Sequence, residues 1–264
     1  MKANKNGQSK SVRDIIYAIL PFLSIGLLIY LWYSVSSARP DMFPTMEATW
    51  ARFVKLFKQP IMRVPYYGHI WASLKRVLLA LIAAICIGVP FGTMLGWNKK
   101  LDSFFGSIFN IIRPIPPLAW IPLIIISMGI GEFPKVLIVF IGAVMPIVIN
   151  TRAGLKNVEE IYLDVGTLFD ANRRQMLIEV AMPSAIPAII AGIKTATSTG
   201  WMVVLAAEML SAKSGVGFLV TRGMDASDMP LVLVAMITIG VVGALLGVIT
   251  SFIERLLCPW LQIK

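Results

Sequence analysis

Charge is scarce in this 264-residue chain: 14% of its residues are Asp, Glu, Lys or Arg, against 57% apolar. A soluble domain carries about 25% charged residues, so too little polar surface remains here to face water on all sides. Histidine occurs once, as His69, with no companion at ligand spacing, which argues against a metal centre or a His-based nucleophilic site. The two cysteines, Cys86 and Cys258, have no paired or metal-clip spacing and are expected to be packing residues. No GxxxxGK[ST] segment occurs, so the chain lacks that phosphate cradle for ATP.

Long charge-free runs are abundant. They cover 24 residues from Ile15 to Ala38, 22 from Val77 to Asn98 and 25 from Met229 to Ile253. Shorter runs cover 18 residues from Pro114 to Gly131 and 16 from Val136 to Thr151, and Val180 to Ala207 is interrupted only by Lys194. A membrane-spanning helix needs about 20 apolar residues. The pattern predicts an all-α polytopic membrane protein with six spans near 15–36, 72–97, 104–128, 135–154, 186–210 and 229–255. An even count puts both termini on one side.

The formal charge of +10 would suggest nucleic acid in a soluble protein. Here the charges sit in termini and loops, where anionic lipid headgroups are the expected partner and nucleic acid is not. With the N-terminus inside, Lys and Arg number twelve on the inner segments and ten on the outer ones, a small bias toward that orientation. The first apolar run exceeds the roughly 7–15 residues of a signal peptide, so it reads as a retained helix despite Ser36-Ser37-Ala38, a faint cleavage-like triplet.

In the segment that follows, Trp50, Phe53, Val54 and Phe57 recur at helical spacing, with Arg52, Lys55 and Lys58 elsewhere on the surface. This predicts an amphipathic helix lying at the membrane interface or packed on protein. In "RPIPPLAWIPL", Pro114, Pro116, Pro117 and Pro122 rule out a regular helix. Irregular backbone at membrane depth survives only against protein or a wet cavity. Arg113 needs a partner, such a cavity, or a route to the headgroups. In the fifth span Lys194 and Glu208 are about four turns apart and cannot pair with each other. Thr195, Thr197, Ser198, Thr199 and Gly200 make its middle small and polar, suited to close helix packing or to a polar solute, with Trp201 above. Glu208 reads either as a pathway group or as the partner of a cation such as Lys213 or Arg222.

The loop from Arg152 to Pro183 mixes charges of both signs with apolar residues at helical intervals. It reads as two short amphipathic helices joined near Asp170-Ala171-Asn172, with Asn172 capping the second helix and Pro183 ending it. A mixed-charge helical hairpin of this kind suits docking to another protein.

Here the chain resembles a known family. "EEIYLDVGTLFDANRRQMLIEVAMPSAIP" (residues 159–187) is similar to the coupling (EAA) loop of permeases of binding-protein-dependent ABC importers. "RPIPPLAWIPL", "GIGEFPK", "GWMVVLAAEML" and "GVGFLV" follow the order and spacing of its nitrate/sulfonate/taurine branch, over roughly residues 70–260. The family's Glu-Ala-Ala and later Gly correspond to Asp164, Val165, Gly166 and Asp170, so the acidic start is kept and the glycine is lost.

The resemblance implies a type I ABC importer permease fold, with residues 1–14 a cytoplasmic tail, 15–38 the first transmembrane helix, 39–70 an external segment and 71–264 the permease core. Within that core, 155–187 is the cytoplasmic coupling loop. It implies ATPase docking through Asp164, Val165, Gly166, Asp170, Ala171, Asn172, Arg173, Arg174, Gln175 and Met176. The candidate pathway residues are Arg113, Trp120, Lys194, Ser198, Trp201 and Glu208. The implied partners are a second permease copy, a cytoplasmic ATPase dimer that binds ATP and Mg, an external or periplasmic substrate-binding protein, and membrane lipids. The chain itself would hold no cofactor and catalyse no reaction. It would sit in the bacterial inner membrane with both termini cytoplasmic, importing a small anion such as nitrate, sulfonate, taurine or bicarbonate. Riboflavin or a pyrimidine precursor is the alternative cargo, and an ion-coupled secondary transporter the alternative class.

Overall fold

The computed structural model describes residues 12–39 and 43–259, so most of the expected tail 1–14 lies outside the described residues. Among them the regular structure is helical, apart from one isolated bridge between Ile61 and Val64. The elements are α1 (Val12–Ala38), α2 (Met46–Lys58), α3 (Tyr66–Trp97), α4 (Lys99–Ile112), a 3-10 turn (Pro117–Trp120), α5 (Ile121–Met128), α6 (Glu132–Lys156), α7 (Glu160–Leu168), α8 (Arg173–Gln175), a π turn (Met176–Ala181), α9 (Met182–Ser211), α10 (Val216–Asp225) and α11 (Met229–Leu257). Five of the helical stretches are long and apolar enough to cross a membrane, and α4 with α5 makes a sixth if that bent pair is one span.

That pair is the break expected at the proline run, and it corrects the bounds of the span placed near 104–128. α4 begins earlier, at Lys99, ends at Ile112, and meets the following turn and α5 across a bend of 83°. Fourteen residues rise about 21 Å, short of the roughly 30 Å hydrocarbon core, so neither half spans alone. The cause is the run of prolines after Arg113, which removes backbone donors and drives the preceding residues out of helical geometry.

The core is a three-helix packing of α3, α6 and α9. In α3, Gly88, Gly92 and Gly96 form a GxxxGxxxG stripe, and α6 closes onto it: a methyl carbon added at these positions would lie 3.0 Å from Ile147, 2.7 Å from Thr151 and 2.8 Å from Leu155. Bare backbone on one helix is what lets the two approach this closely, the usual device where lipid supplies no hydrophobic drive. Ala143 and Ile147 of α6 also pack with Ala196 of α9 and Ala84 of α3, so all three helices meet there. Val139 lies in a further cluster with Val77, Trp201 and Val204, which α5 joins through Ile121 and Ile124.

α1 stands apart, its side chains exposed along most of its length. It is tied to the rest near its C-terminal end, where Ser36 is buried and the Trp32 indole donates to the Pro44 carbonyl at 3.1 Å. α2 is capped by Thr45, which accepts from the Ala48 amide. Leu56, Thr49 and Phe53 face the protein, Arg52 pairs with Asp228 at 2.6 Å, and Trp50 and Phe57 remain exposed. The helix is therefore packed on protein through one face and leaves an aromatic face open. Of the cysteines, Cys258 is buried as expected, and burial pushes its thiol pKa up. Cys86 is instead exposed on α3.

Candidate coupling segment and translocation face

The segment after α6 is built almost wholly from near neighbours in sequence. α7 ends in a Schellman motif: the Ala171 amide donates to the Gly166 carbonyl and the Asp170 amide to that of Thr167, both at 3.0 Å. Such an end requires a left-handed residue, and Asp170 takes it with φ of 50°. Asp therefore occupies the conformation that glycine adopts without cost. Two residues on, the Asn172 side chain accepts from the Arg174 and Gln175 amides while Gln175 reaches back to the Asn172 amide, a complete capping box. Gly166 lies against Met176: an added methyl carbon would meet its sulfur at 2.7 Å. Because that sulfur ends a flexible side chain, the alanine of the family pattern also fits here after a small shift.

The second loop helix does not stop before Pro183. From Arg173 to Leu210 the chain runs as one 38-residue helical stretch through α8, the π turn and α9. Proline at position 183 cannot donate to a carbonyl one turn earlier, and the wider π turn just before it takes up the irregularity. Asp164, Val165 and Gly166 sit on α7, Asp170 and Ala171 in the connection, and Asn172 to Met176 at the start of the long helix. α4 is joined to this end of the molecule through Asp102, which pairs with Arg152 at 2.6 Å and with Lys156.

Along α9 the candidate pathway residues separate into two groups. Ser198 is exposed, with Thr195 and Met202 on the same face, and Lys194 is half-buried and paired with Glu254 of α11 at 2.9 Å. The hydroxyls of Thr195, Thr197, Ser198 and Thr199 each donate to the carbonyl four residues back, so the small polar run satisfies itself within the helix. Arg113 is exposed at the break after α4, and Trp120 is half-buried beside the core.

Trp201 and Glu208 point into protein. The Trp201 indole donates to the Ile239 carbonyl at 3.1 Å, and the ring is 5% exposed. Glu208 is 0% exposed and accepts from Arg76 Nη1 at 2.6 Å, Ser73 Oγ at 2.8 Å and the Gly217 amide at 3.0 Å. Its cation is therefore Arg76 of α3, and neither Lys213 nor Arg222. The Arg76 guanidinium also grips both oxygens of Glu132, at 2.7 and 2.8 Å, and the backbone oxygen of Ser214 at 2.9 Å. Lys135 closes the cluster onto Glu132 at 2.8 Å.

His69 and Ser73 complete it by accepting the Gly215 and Val216 amides at 3.2 and 2.9 Å. Three side chains from α3 and α9 thus cap the N-terminus of α10, donors that a helix leaves unsatisfied by itself. Gly215, at φ of 123°, lies so close to the Glu208 carboxylate that no side chain fits. Sequence reasoning missed His69, Ser73, Arg76 and Glu132 as a set. The available signal was their spacing, since 69, 73 and 76 share one helix face at the start of an apolar run.

The fold and these two regions define a polytopic helical membrane protein with a structured segment between α6 and α9. The chain belongs to the family described as binding-protein-dependent transport system inner membrane component, which matches residues 88–263. It is 31% identical to the taurine transport system permease protein TauC of Escherichia coli K12 over 245 residues, covering 90% of this chain and 89% of the relative. It is 29% identical to the nitrate import permease protein NrtB of Synechocystis over 267 residues, covering 96% and 94%. An inward-facing structure of the MetNI methionine ABC transporter superposes with a TM-score of 0.63 at 20% identity, covering 71% of this chain and 93% of that one, and shares the fold. The chain is an ABC importer permease of the nitrate/sulfonate/taurine branch, with the type I fold.

Proposed function

We propose that this permease imports a small oxyanion of the nitrate, sulfonate or taurine kind, driven by a separate cytoplasmic ATPase that docks on residues 164–176. In this reading residues 155–187 and both termini face the cytoplasm, a second permease copy completes the pathway, and an external binding protein delivers the substrate. The observation that carries it is the unbroken helix from Arg173 to Leu210. Its first turn holds the docking residues and its middle holds Lys194 and Ser198, so a displacement at the docking end is transmitted along a stiff rod to the face open to solute. The names of the taurine and nitrate relatives support the anionic cargo, as does the exposed Arg113. Glu208 and Trp201, being committed to protein partners, hold the outer end of that helix in place and do not meet substrate.

Charge reversal of Arg173 and Arg174 together tests the docking. Exposed docking charges affect association more than folding, so the double variant should remain assembled while ATPase co-purification and uptake collapse. Unchanged co-purification and uptake would sink the docking assignment.

A further inference from the structure

A cavity of about 430 Å³ opens between the α3–α4 corner and the start of α8. One wall is Thr93, Met94, Trp97 and Leu101, and the other carries Arg173 and Arg174. Both arginines are exposed, and among the described residues no ion pair holds either of them. Lys99 and Lys100, also exposed, open α4 directly beside this corner. Trp97 is the last residue of a 32-residue apolar helix, the depth at which indoles settle at a membrane interface.

We infer that this cavity is a binding site for an anionic phospholipid of the inner leaflet, with its phosphate on Arg173 and Arg174 and its first acyl carbons against Met94, Trp97 and Leu101. The inference rests on the cytoplasmic placement of residues 155–187 proposed above and concerns the permease free of its ATPase, when Arg173 and Arg174 are not engaged in docking. Guanidinium groups match phosphate oxygens in fork geometry. Basic pockets between spans on the cytoplasmic side suit acidic headgroups. A free anion would use the arginines and leave the apolar wall bare, whereas a lipid satisfies both.

The full-length permease, reconstituted in nanodiscs of mixed phosphatidylcholine and phosphatidylglycerol, tests this by native mass spectrometry of the lipid retained. Phosphatidylglycerol should be retained about tenfold over phosphatidylcholine, and R173Q/R174Q should cut that preference at least about threefold. Phosphatidylglycerol with brominated tails should quench tryptophan emission in the wild type by more than in W97F, a variant that keeps both arginines. Equal retention of the two lipids, a preference unchanged in the double variant, or full displacement of the lipid by millimolar inorganic phosphate would each overturn the site. ATPase co-purification is read in parallel on the same proteins. Lipid preference lost in the wild type while R173E/R174E still releases the ATPase removes the lipid site alone. The reverse pattern removes only the docking role.

Discussion

The two ends of the helical bundle are made by opposite means. At the coupling end, the bonds that shape the Asp170–Asn172 connection join residues no more than five apart, as in Ala171 to Gly166 and Gln175 to Asn172. At the α9–α10 end, Arg76 reaches across 132 positions to Glu208, 56 to Glu132 and 138 to Ser214. The first end is shaped largely by its own residues; the second exists only when α3, α6, α9 and α10 are assembled. Roughly 50 Å of helix separates them by helical rise.

The Arg76–Glu208 cluster offers the largest test of that contrast. Arg76→Met should cost about 3–5 kcal/mol because it strands the buried Glu208 charge, read as a lower melting temperature and aggregation of the detergent-solubilised permease. Glu208→Gln keeps one acceptor oxygen and should cost about 1.5–3 kcal/mol, the worth of a hydrogen bond to a charged group. Hydrogen exchange at residues 160–176 should be unchanged in both variants, and faster exchange there would break the separation. At the other end, Asn172→Ala should lose about 1 kcal/mol of local helix stability, seen as faster exchange at residues 174–176 with the global melt unaltered. Combined with Arg76→Met, it should add within about 0.5 kcal/mol, as independent sites do. The smallest effect is expected from Asp170→Gly, which relieves a left-handed Asp but frees the unfolded chain. A gain under about 1 kcal/mol in the same exchange measurement is the expected balance.

Local signals predicted the coupling end well. Asn172 followed by Gln175 encodes its own cap, and the acidic and basic residues around it marked a structured loop. The proline run likewise foretold the broken third span, though not that the helix before it would begin at Lys99. Pro183 misled, because a π turn can absorb a missing donor and a linear pattern cannot show it. Glu208 was recognised as an intramembrane charge, but its partner was not.

Hydrophobic run length, charge spacing and cap residues act over one or a few helical turns, so the chain by itself determined an all-helical membrane protein, its approximate spans and the shape of the α7–α8 connection. The pairing of Arg76 with Glu208 and Glu132, the capping of α10 by His69, Ser73 and Glu208, and the inward turn of Trp201 were decided by tertiary structure alone. Each is a polar group withdrawn from water, and its cost is met mainly by partners that folding brings from more than 35 positions away, as Ile239 for Trp201, Arg76 for Glu208 and His69 for the Gly215 amide.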